Sequence, residues 1–261
     1  MSPMTRADLR LALEAADAAD AVTLGLYRSP ALQIETKPDM TPVTEADQAA
    51  ERAIRQVLET ARPTDAIAGE EYGETGSAQR RWIIDPIDAT ANYMRGVPVW
   101  GTLIALEDPD GIAVGVVSSP ALGHRWWAGR GLGAYLNASP MRVSTIDTLG
   151  DATLSFNSLV AHEEHGLGEQ ATTLSRSCRR TRGYGDFLSF MLLADGAVDV
   201  VTEPIAKEWD LAPLDIIVTE AGGTFTDLQG EHTIRGGNAI ATNGLLHDEV
   251  LAMMRRTSSA P

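Results

Sequence analysis

The sequence has little cysteine, no long apolar run and few basic residues for its size. Its single cysteine among 261 residues, Cys178, cannot form an intramolecular disulfide, which fits a reducing compartment. Uncharged stretches such as residues 96–106 are shorter than the roughly 20 apolar residues needed to cross a bilayer. We therefore expect no membrane-spanning helix and no role at a membrane.

The arginines near Cys178 bear on its reactivity. A cationic neighbourhood favours a lower thiol pKa, whereas a lone cysteine is usually an inert packing residue. We predict the inert role. The flanking residues are Arg176, Arg179, Arg180 and Arg182.

Acidic residues outnumber basic ones. The chain has 36 Asp and Glu against 21 Lys and Arg, a formal net charge of −15 at pH 7. Proteins that bind nucleic acid gain affinity by neutralising phosphates with Lys and Arg, so this balance argues against a nucleic-acid partner. Acidic residues at positions 8, 14, 17 and 20 also interrupt the apolar core that a secretion signal would need. We expect a cytoplasmic protein that binds small ligands or metal ions.

The remaining composition is typical of a globular protein, with 44% hydrophobic and 22% charged residues. The apolar spacing of residues 6–27 predicts an amphipathic first helix, and Thr44 to Asp47 resembles a capping box that opens a second helix. A loop is expected at 37–42. Further helices are expected at about 186–194, 211–221 and 247–254.

Short strand-like runs alternate with these helices. The turn signal at residues 107–111 joins two of the runs into an antiparallel hairpin. Interleaved strands and helices predict an α/β, or α+β, layered fold. We expect a first unit over residues 1–140 and a second over 141–261. The strands are expected at 82–84, 102–106, 112–118, 125–128, 153–156, 198–201, 224–227 and 239–242.

Chemistry concentrates where the 82–84 strand ends. Residues 85–88 read Asp-Pro-Ile-Asp, and Pro86 forces a turn that can bring Asp85 and Asp88 to one spot with the Ile87 carbonyl between them. Like charges held this closely favour a divalent cation with oxygen ligands. Taken alone, the same residues also suit an ordinary turn and helix start.

Two further acidic motifs accompany this one: Gly-Glu-Glu at 69–71 and Trp-Asp at 209–210. With Asp-Pro-Ile-Asp-x-Thr at 85–90, the chain resembles the inositol monophosphatase superfamily of magnesium-dependent phosphatases. The resemblance extends from residue 37 to residue 244 and implies that family's alternating layers of helices and sheets. Residues 93–100, 125–127 and 182–187 look most like the actinobacterial histidinol-phosphatase branch.

The resemblance implies a ligand set made of oxygen atoms, which Mg²⁺ and Mn²⁺ prefer. Glu70, Asp85 and the Ile87 carbonyl would hold one Mg²⁺, and Asp85, Asp88 and Asp210 a second. The family implies two or three ions per site. It also implies a homodimer.

The same resemblance assigns the remaining catalytic steps. Asp47, Glu70 and Thr90 would orient and deprotonate the attacking water. The backbone N–H groups of Ala89 and Thr90, at a helix start, would bind phosphate together with Ile87, Asp88 and Asp210. For Asp47 and Asp210 the residues alone also fit simple helix capping.

The chain departs from the family at two positions. Ala89 stands where the family normally has Gly or Ser, and Ala91 where histidinol phosphatases commonly have Lys. An alanine forced to positive φ costs about 1–2 kcal/mol. These departures leave open whether the chain hydrolyses its ligand or only binds it.

Recognition of the leaving alcohol is carried over to Arg182, Gly185, Asp186 and Glu203. Asp186 and Glu203 suit a cationic alcohol such as histidinol, although both also fit a helix cap and a solvated loop. The predicted activity is Mg²⁺-dependent hydrolysis of L-histidinol phosphate in histidine biosynthesis. The alternatives are another small phosphorylated alcohol, such as an inositol, sugar or nucleoside phosphate, or a relative that binds without hydrolysis.

Residues 162–165 read His-Glu-Glu-His, a second group of residue types that can bind a metal ion. The segment lacks the His-Glu-x-x-His spacing that puts two imidazoles on one face of a helix. We therefore predict that it is a polar surface loop.

Overall fold

The computed structural model describes residues 3–30, 32–36 and 42–255. Thr44 caps the second helix as expected: its Oγ1 accepts the Ala46 N–H at 3.1 Å, and Asp47 accepts the Thr44 N–H at 2.8 Å. The helices of the described residues are α1 (Pro3–Leu26), α2 (Glu45–Ala61), α3 (Thr90–Met94), α4 (Leu159–Glu164), α5 (Gly168–Ser177), α6 (Asp186–Ala194), α7 (Glu208–Glu220) and α8 (His247–Met254).

The strands form a small hairpin and two larger sheets. They are β1 (Ile34–Thr36), β2 (Pro42–Thr44), β3 (Ala66–Gly69), β4 (Gly73–Thr75), β5 (Arg81–Asp88), β6 (Gly101–Asp108), β7 (Gly111–Ser119), β8 (His124–Gly129), β9 (Gly133–Leu136), β10 (Ser139–Pro140), β11 (Thr153–Phe156), β12 (Arg180–Arg182), β13 (Val200–Glu203), β14 (Thr224–Thr226) and β15 (Ala239–Thr242).

The eight-stranded sheet has the order β10-β9-β8-β7-β6-β5-β3-β4, and the five-stranded sheet β12-β11-β13-β15-β14. Neighbouring strands of the first sheet are antiparallel except β3 and β5, whereas β11 runs parallel to both β12 and β13. The expected hairpin is β6–β7. Parallel pairs matter for the site because their carboxyl ends share one edge of a sheet.

Helices and sheets alternate through the molecule. α1 and α2 cover one face of the first sheet, α6 and α7 fill the space between the two sheets, and α5 and α8 cover the far face of the second. Adjacent β5 residues show why both faces are buried, since Ile83 packs toward α6 and α7 while Ile84 packs toward α1 and α2. The predicted layered α/β class is confirmed.

Helix α7 approaches the first sheet closely at a glycine of β7. A Cβ added at Gly115 would lie 2.6 Å from Ile216 and 2.9 Å from the Pro213 carbonyl. The absence of a side chain there lets α7 lie against the sheet that carries the acidic motif. Helix α7 thus comes from the second half of the chain and packs on strands of the first. The division into two units at residue 140 stays a prediction.

Two local expectations were wrong, one about residues 162–165 and one about Pro42. Residues 162–165 lie in or just after α4 rather than in a surface loop: the His162 side chain is fully buried and its Nε2 lies 3.1 Å from Thr202 Oγ1. Tertiary burial overrides the polar pattern there.

The predicted inert role of Cys178 agrees with its surroundings. Burial, with Asp199 and Glu249 nearby, raises the pKa of the Cys178 thiol to about 11, so the flanking arginines do not activate it.

The second wrong expectation concerns only the last residue of the loop expected at 37–42. Pro42 opens β2, which pairs antiparallel with β1. Residues 37–41 lie outside the described residues. Over the ranges that the structure covers, no helix is long and apolar enough to cross a membrane.

Candidate active site

Asp85 and Asp88 lie at the carboxyl end of β5, on either side of an irregularity in its pairing with β6. Asp85 Oδ1 accepts the Ile87 N–H at 3.0 Å, which closes the turn that Pro86 starts. Thr102 Oγ1 donates to the Pro86 carbonyl at 2.8 Å and holds the turn against β6. The local turn chemistry therefore aims both carboxylates at one point, as the sequence predicts.

Asp210 reaches the same point from the first turn of α7. Its Oδ2 accepts the Lys207 N–H at 2.7 Å, so the residue caps its helix as well as facing the cluster. One carboxylate oxygen from each of Asp85, Asp88 and Asp210 lies within 4.8 Å of the others. Capping and clustering are thus two roles of one side chain.

Glu70 directly follows β3, the strand parallel to β5. Gly69 pairs with Ile84, and the Glu70 N–H donates to the Ile84 carbonyl at 3.1 Å. This register sets Glu70 beside Asp85, at the shared carboxyl edge of the two strands. Glu70 acts electrostatically on Asp47, Asp85 and Asp210, which places all four acids in one neighbourhood.

Burial and mutual repulsion raise the pKa values of the clustered carboxylates. Burial, followed by the charges of Glu70 and Asp88, raises the pKa of Asp85 well above its ordinary value. Burial and the neighbouring Asp186 and Asp210 do the same to the pKa of Asp88, and burial raises that of Asp210 to about 6. Such a group of oxygen ligands fits a divalent metal ion, whose charge relieves this repulsion.

Thr90 and Asp47 form a second feature beside the cluster. Thr90 Oγ1 lies 3.3 Å from Asp47 Oδ1 and 3.0 Å from the Ile87 carbonyl oxygen. The other oxygen of Asp47 accepts both the N–H and the hydroxyl of Thr44, at 2.8 and 2.6 Å. Burial raises the pKa of Asp47 to about 6. The capping box of α2 therefore fixes an acceptor for the Thr90 hydroxyl.

Ala89, the N-cap residue of α3, has a left-handed backbone with φ 64° and ψ 46°. The sequence predicts backbone strain at Ala89 only if its φ is positive, and the structure shows a positive φ. The strain follows from the contact between an L-residue's Cβ and the following carbonyl. A glycine at this position would not have this strain.

We expect Ala89→Gly to stabilise the protein. Removing about 1–2 kcal/mol of strain outweighs the roughly 0.4–1 kcal/mol that glycine costs through the unfolded chain. Urea unfolding should show a net gain of about 0.5–1 kcal/mol. In the control Ala53→Gly, within α2, the same change should destabilise by about 1 kcal/mol. Equal losses in both variants would contradict the strain at Ala89.

A cavity of about 80 Å³ opens beside Asp88 and Asp210. Asp186, Glu203 and Asn157 bring polar groups to its lining, and Asn157 Nδ2 donates to Asp186 Oδ1 at 3.3 Å. Burial and the charge of Asp186 raise the pKa of Glu203 to about 8. The sequence-predicted pair Asp186 and Glu203 is thus brought beside the carboxylate cluster of Asp85, Asp88 and Asp210.

Sequence reasoning missed Asn157 and the hydrogen bond between the start of α6 and Asp88. Asn157 directly follows β11, and Glu203 ends the parallel strand β13, so the rule that ligands gather at parallel carboxyl ends points to both. Gly185, at φ 77°, is the N-cap of α6, and the Phe187 N–H donates to Asp88 Oδ2 at 3.0 Å.

Arg182 is the predicted site residue that the fold leaves aside. It ends β12, is exposed, donates to the Thr181 carbonyl at 2.7 Å and does not line the cavity.

Comparison with known proteins identifies this architecture. The sequence model of the inositol monophosphatase family matches residues 2–259. The chain belongs to that family. The inositol monophosphatase of Zymomonas mobilis superposes with a TM-score of 0.87 at 33% identity, covering 98% of this chain and 100% of that one. The predicted family fold is therefore confirmed.

Among curated members of the family, two actinobacterial relatives are similar over nearly their whole length. The histidinol-phosphatase of Streptomyces coelicolor is 52% identical, covering 95% of this chain and 97% of that protein. The histidinol-phosphatase of Mycobacterium tuberculosis is 51% identical, covering 96% and 99%. The predicted resemblance to this branch of the inositol monophosphatases is confirmed.

Proposed function

We propose that this chain is a Mg²⁺-dependent phosphomonoesterase that hydrolyses L-histidinol phosphate to L-histidinol and phosphate, a step of histidine biosynthesis. The observation that carries the proposal is the carboxylate cluster of Asp85, Asp88 and Asp210 beside an acidic cavity. The names of the two actinobacterial relatives support the same substrate.

The proposed metal ligands are those that the family resemblance implies. Glu70, Asp85 and the Ile87 carbonyl would hold one Mg²⁺, and Asp85, Asp88 and Asp210 a second, within a total of two or three. Mn²⁺ suits the same oxygen ligands. When bound, the ions neutralise phosphate charge and lower the pKa of a coordinated water. The raised pKa values of Asp85 and Asp88 support this assignment, because a cation would keep both ionised.

Thr90 would orient the attacking water. Its hydroxyl lies within hydrogen-bond distance of Asp47 Oδ1 and of the Ile87 carbonyl oxygen, at 3.3 and 3.0 Å. When the hydroxyl donates to Asp47, its lone pairs are left to accept a hydrogen bond from water, and Asp47 would receive the proton in turn. Glu70 lies close enough to Asp47 to act on its charge and would assist in the same proton transfer. Above a pH of about 6, Asp47 is ionised and able to accept.

The phosphate would lie against the start of α3. The backbone N–H groups of Ala89 and Thr90 would donate to its oxygens, with Ile87, Asp88 and Asp210 lining the same space. Ala89 keeps its amide donor despite its side chain. The left-handed backbone of Ala89 is unfavourable for alanine, which supports the proposal that this turn serves phosphate binding.

The leaving alcohol would enter the cavity lined by Asp186, Glu203 and Asn157. Histidinol carries an amine and an imidazole, both able to bear positive charge, and the two acids would pair with them. Gly185 would contribute backbone space beside Asn157, since a Cβ there would lie 3.1 Å from Asn157 Oδ1. Arg182 lies outside the cavity lining, and its role in recognising the alcohol stays a prediction.

Two accompanying predictions concern the whole protein. We propose that it works in the cytoplasm, in keeping with its biosynthetic reaction. We also propose that it forms a homodimer. Size-exclusion chromatography with light scattering would test the second.

The direct test is release of inorganic phosphate from L-histidinol phosphate, compared with inositol, sugar and nucleoside phosphates. We expect Mg²⁺-dependent turnover, abolished by EDTA, with the largest kcat/KM for L-histidinol phosphate. A large preference for another phosphate would overturn the substrate while leaving the reaction. If Mg²⁺ stabilises the protein but only Ala89→Gly releases phosphate, the chain is a binding relative whose strained turn has cost it hydrolysis.

A further inference from the structure

Glu51 is a buried acid for which the proposed reaction gives no role. It lies on α2 one turn after Asp47, and its side chain is 0% exposed. Burying a carboxylate is costly unless hydrogen bonds and opposite charge compensate it. Its partners therefore indicate what the residue does.

Those partners belong to the segment that carries Glu70. Glu51 Oε2 accepts the Glu71 N–H at 2.8 Å, and Oε1 lies 3.3 Å from the Tyr72 nitrogen, which donates to it. Both amides lie in the turn between β3 and β4. The Glu51 carboxylate thus hydrogen-bonds the backbone immediately after Glu70, the proposed metal ligand.

The backbone before Glu70 is shaped around the same carboxylate. A Cβ added at Gly69 would overlap the carboxylate of Glu51. Gly69 therefore lets β3 approach α2 closely enough for the hydrogen bonds to Glu71 and Tyr72.

Arg55 completes the arrangement from the next turn of α2. Its Nε donates to Glu51 Oε1 at 2.8 Å, while its two terminal nitrogens donate to the Gly73 carbonyl at 2.5 Å and to Thr75 Oγ1 at 3.0 Å. The guanidinium both neutralises Glu51 and ties down β4. Helix α2 therefore binds the turn at 69–73 through two side chains: Glu51 accepts its amides and Arg55 donates to its last carbonyl.

We infer that Glu51 is a positioning residue: it holds the backbone that follows Glu70 and thereby orients the Glu70 carboxylate toward Asp85. The inference rests on the proposed function, because it takes Glu70 as a metal ligand. Helix α2 therefore supplies two carboxylates: Asp47 faces Thr90, and Glu51, one turn later, binds the turn that follows Glu70. Groups that orient a metal ligand typically contribute 10-fold to 100-fold in metal affinity.

The test is Mg²⁺ binding in the absence of substrate, measured by calorimetry on the full chain with Glu51→Ala and Glu51→Gln. We expect Glu51→Ala to weaken Mg²⁺ binding by about 10-fold to 100-fold. Glu51→Gln keeps one acceptor oxygen and the size of the side chain, so its loss should be intermediate. If Glu51→Ala does not fold, the Glu51→Gln result decides, because it should still bind Mg²⁺ more weakly than the unaltered chain.

Asp8→Ala is the matched control. Asp8 is another buried acid paired with arginines, 3.0 Å from Arg62 and 3.1 Å from Arg80, but on α1. We expect it to lower Tm with Mg²⁺ affinity unchanged. Unchanged affinity in both Glu51 variants, or equal losses in the control, would overturn the inference alone. Failure of the unaltered chain to bind Mg²⁺ would instead overturn the proposed function, and this inference with it.

Discussion

Asp88→Asn should abolish phosphate release while the protein remains folded. Asp88 shares the cluster with Asp85 and Asp210, and its Oδ2 also accepts the Phe187 N–H at the start of α6. Asparagine preserves the shape and one acceptor but removes the charge that a metal ion needs. Because residues that merely orient a ligand contribute up to about 100-fold, loss of a ligand should cost at least about 100-fold in kcat/KM.

The same substitution should leave the metal-free protein at least as stable as its parent at neutral pH. Burial and nearby Asp186 and Asp210 raise the pKa of Asp88, so an uncharged side chain relieves repulsion there. Circular dichroism and Tm would measure this beside a phosphate-release assay. Asp195→Asn, an exposed change at the other end of α6, should alter neither quantity. Near-normal turnover by Asp88→Asn would refute its assignment as a ligand.

Glu203→Gln should have opposite effects on stability and on activity. The pKa of Glu203 is raised to about 8 in the folded protein, chiefly by burial, from an ordinary value near 4.5. Between these values the folded chain binds more protons than the unfolded chain, so the free energy of unfolding falls as pH rises. Above about pH 8 the penalty is complete, and glutamine removes it.

We therefore expect metal-free Glu203→Gln to be more stable than its parent at pH 9, and equally stable at pH 4. The gain at pH 9 should be at least about 1 kcal/mol, or roughly 2–4 °C in Tm. In contrast, kcat/KM for L-histidinol phosphate should fall about 10-fold or more, because a cationic alcohol loses its buried partner.

The control for this prediction is Glu164→Gln, an exposed change on α4 that should leave both the pH dependence and kcat/KM unchanged. The substrate panel separates the two effects of Glu203→Gln. Hydrolysis of a neutral sugar phosphate should fall less than that of L-histidinol phosphate. An equal fall for both would show that Glu203 does not discriminate by charge.

Local pattern predicted much of the fold. The capping box at Thr44, the β6–β7 hairpin and the helices at 186–194 and 247–254 follow from short-range rules of capping, turns and periodicity, and the structure confirms them. The strands β3 and β4, only a few residues each, carry too little periodicity to be recognised. The helix at His162 was missed because its burial depends on Thr202, distant in sequence.

The sequence by itself determined the turn that pairs Asp85 with Asp88, because Pro86 and the Asp85 side chain act within three residues. The tertiary structure alone decided which distant groups meet there. The parallel register of β3 and β5 brings Glu70, the packing of α7 brings Asp210, and α2 brings Asp47. It also decided that Ala89 is strained, since a backbone angle is set by the elements on both sides of it rather than by the residue.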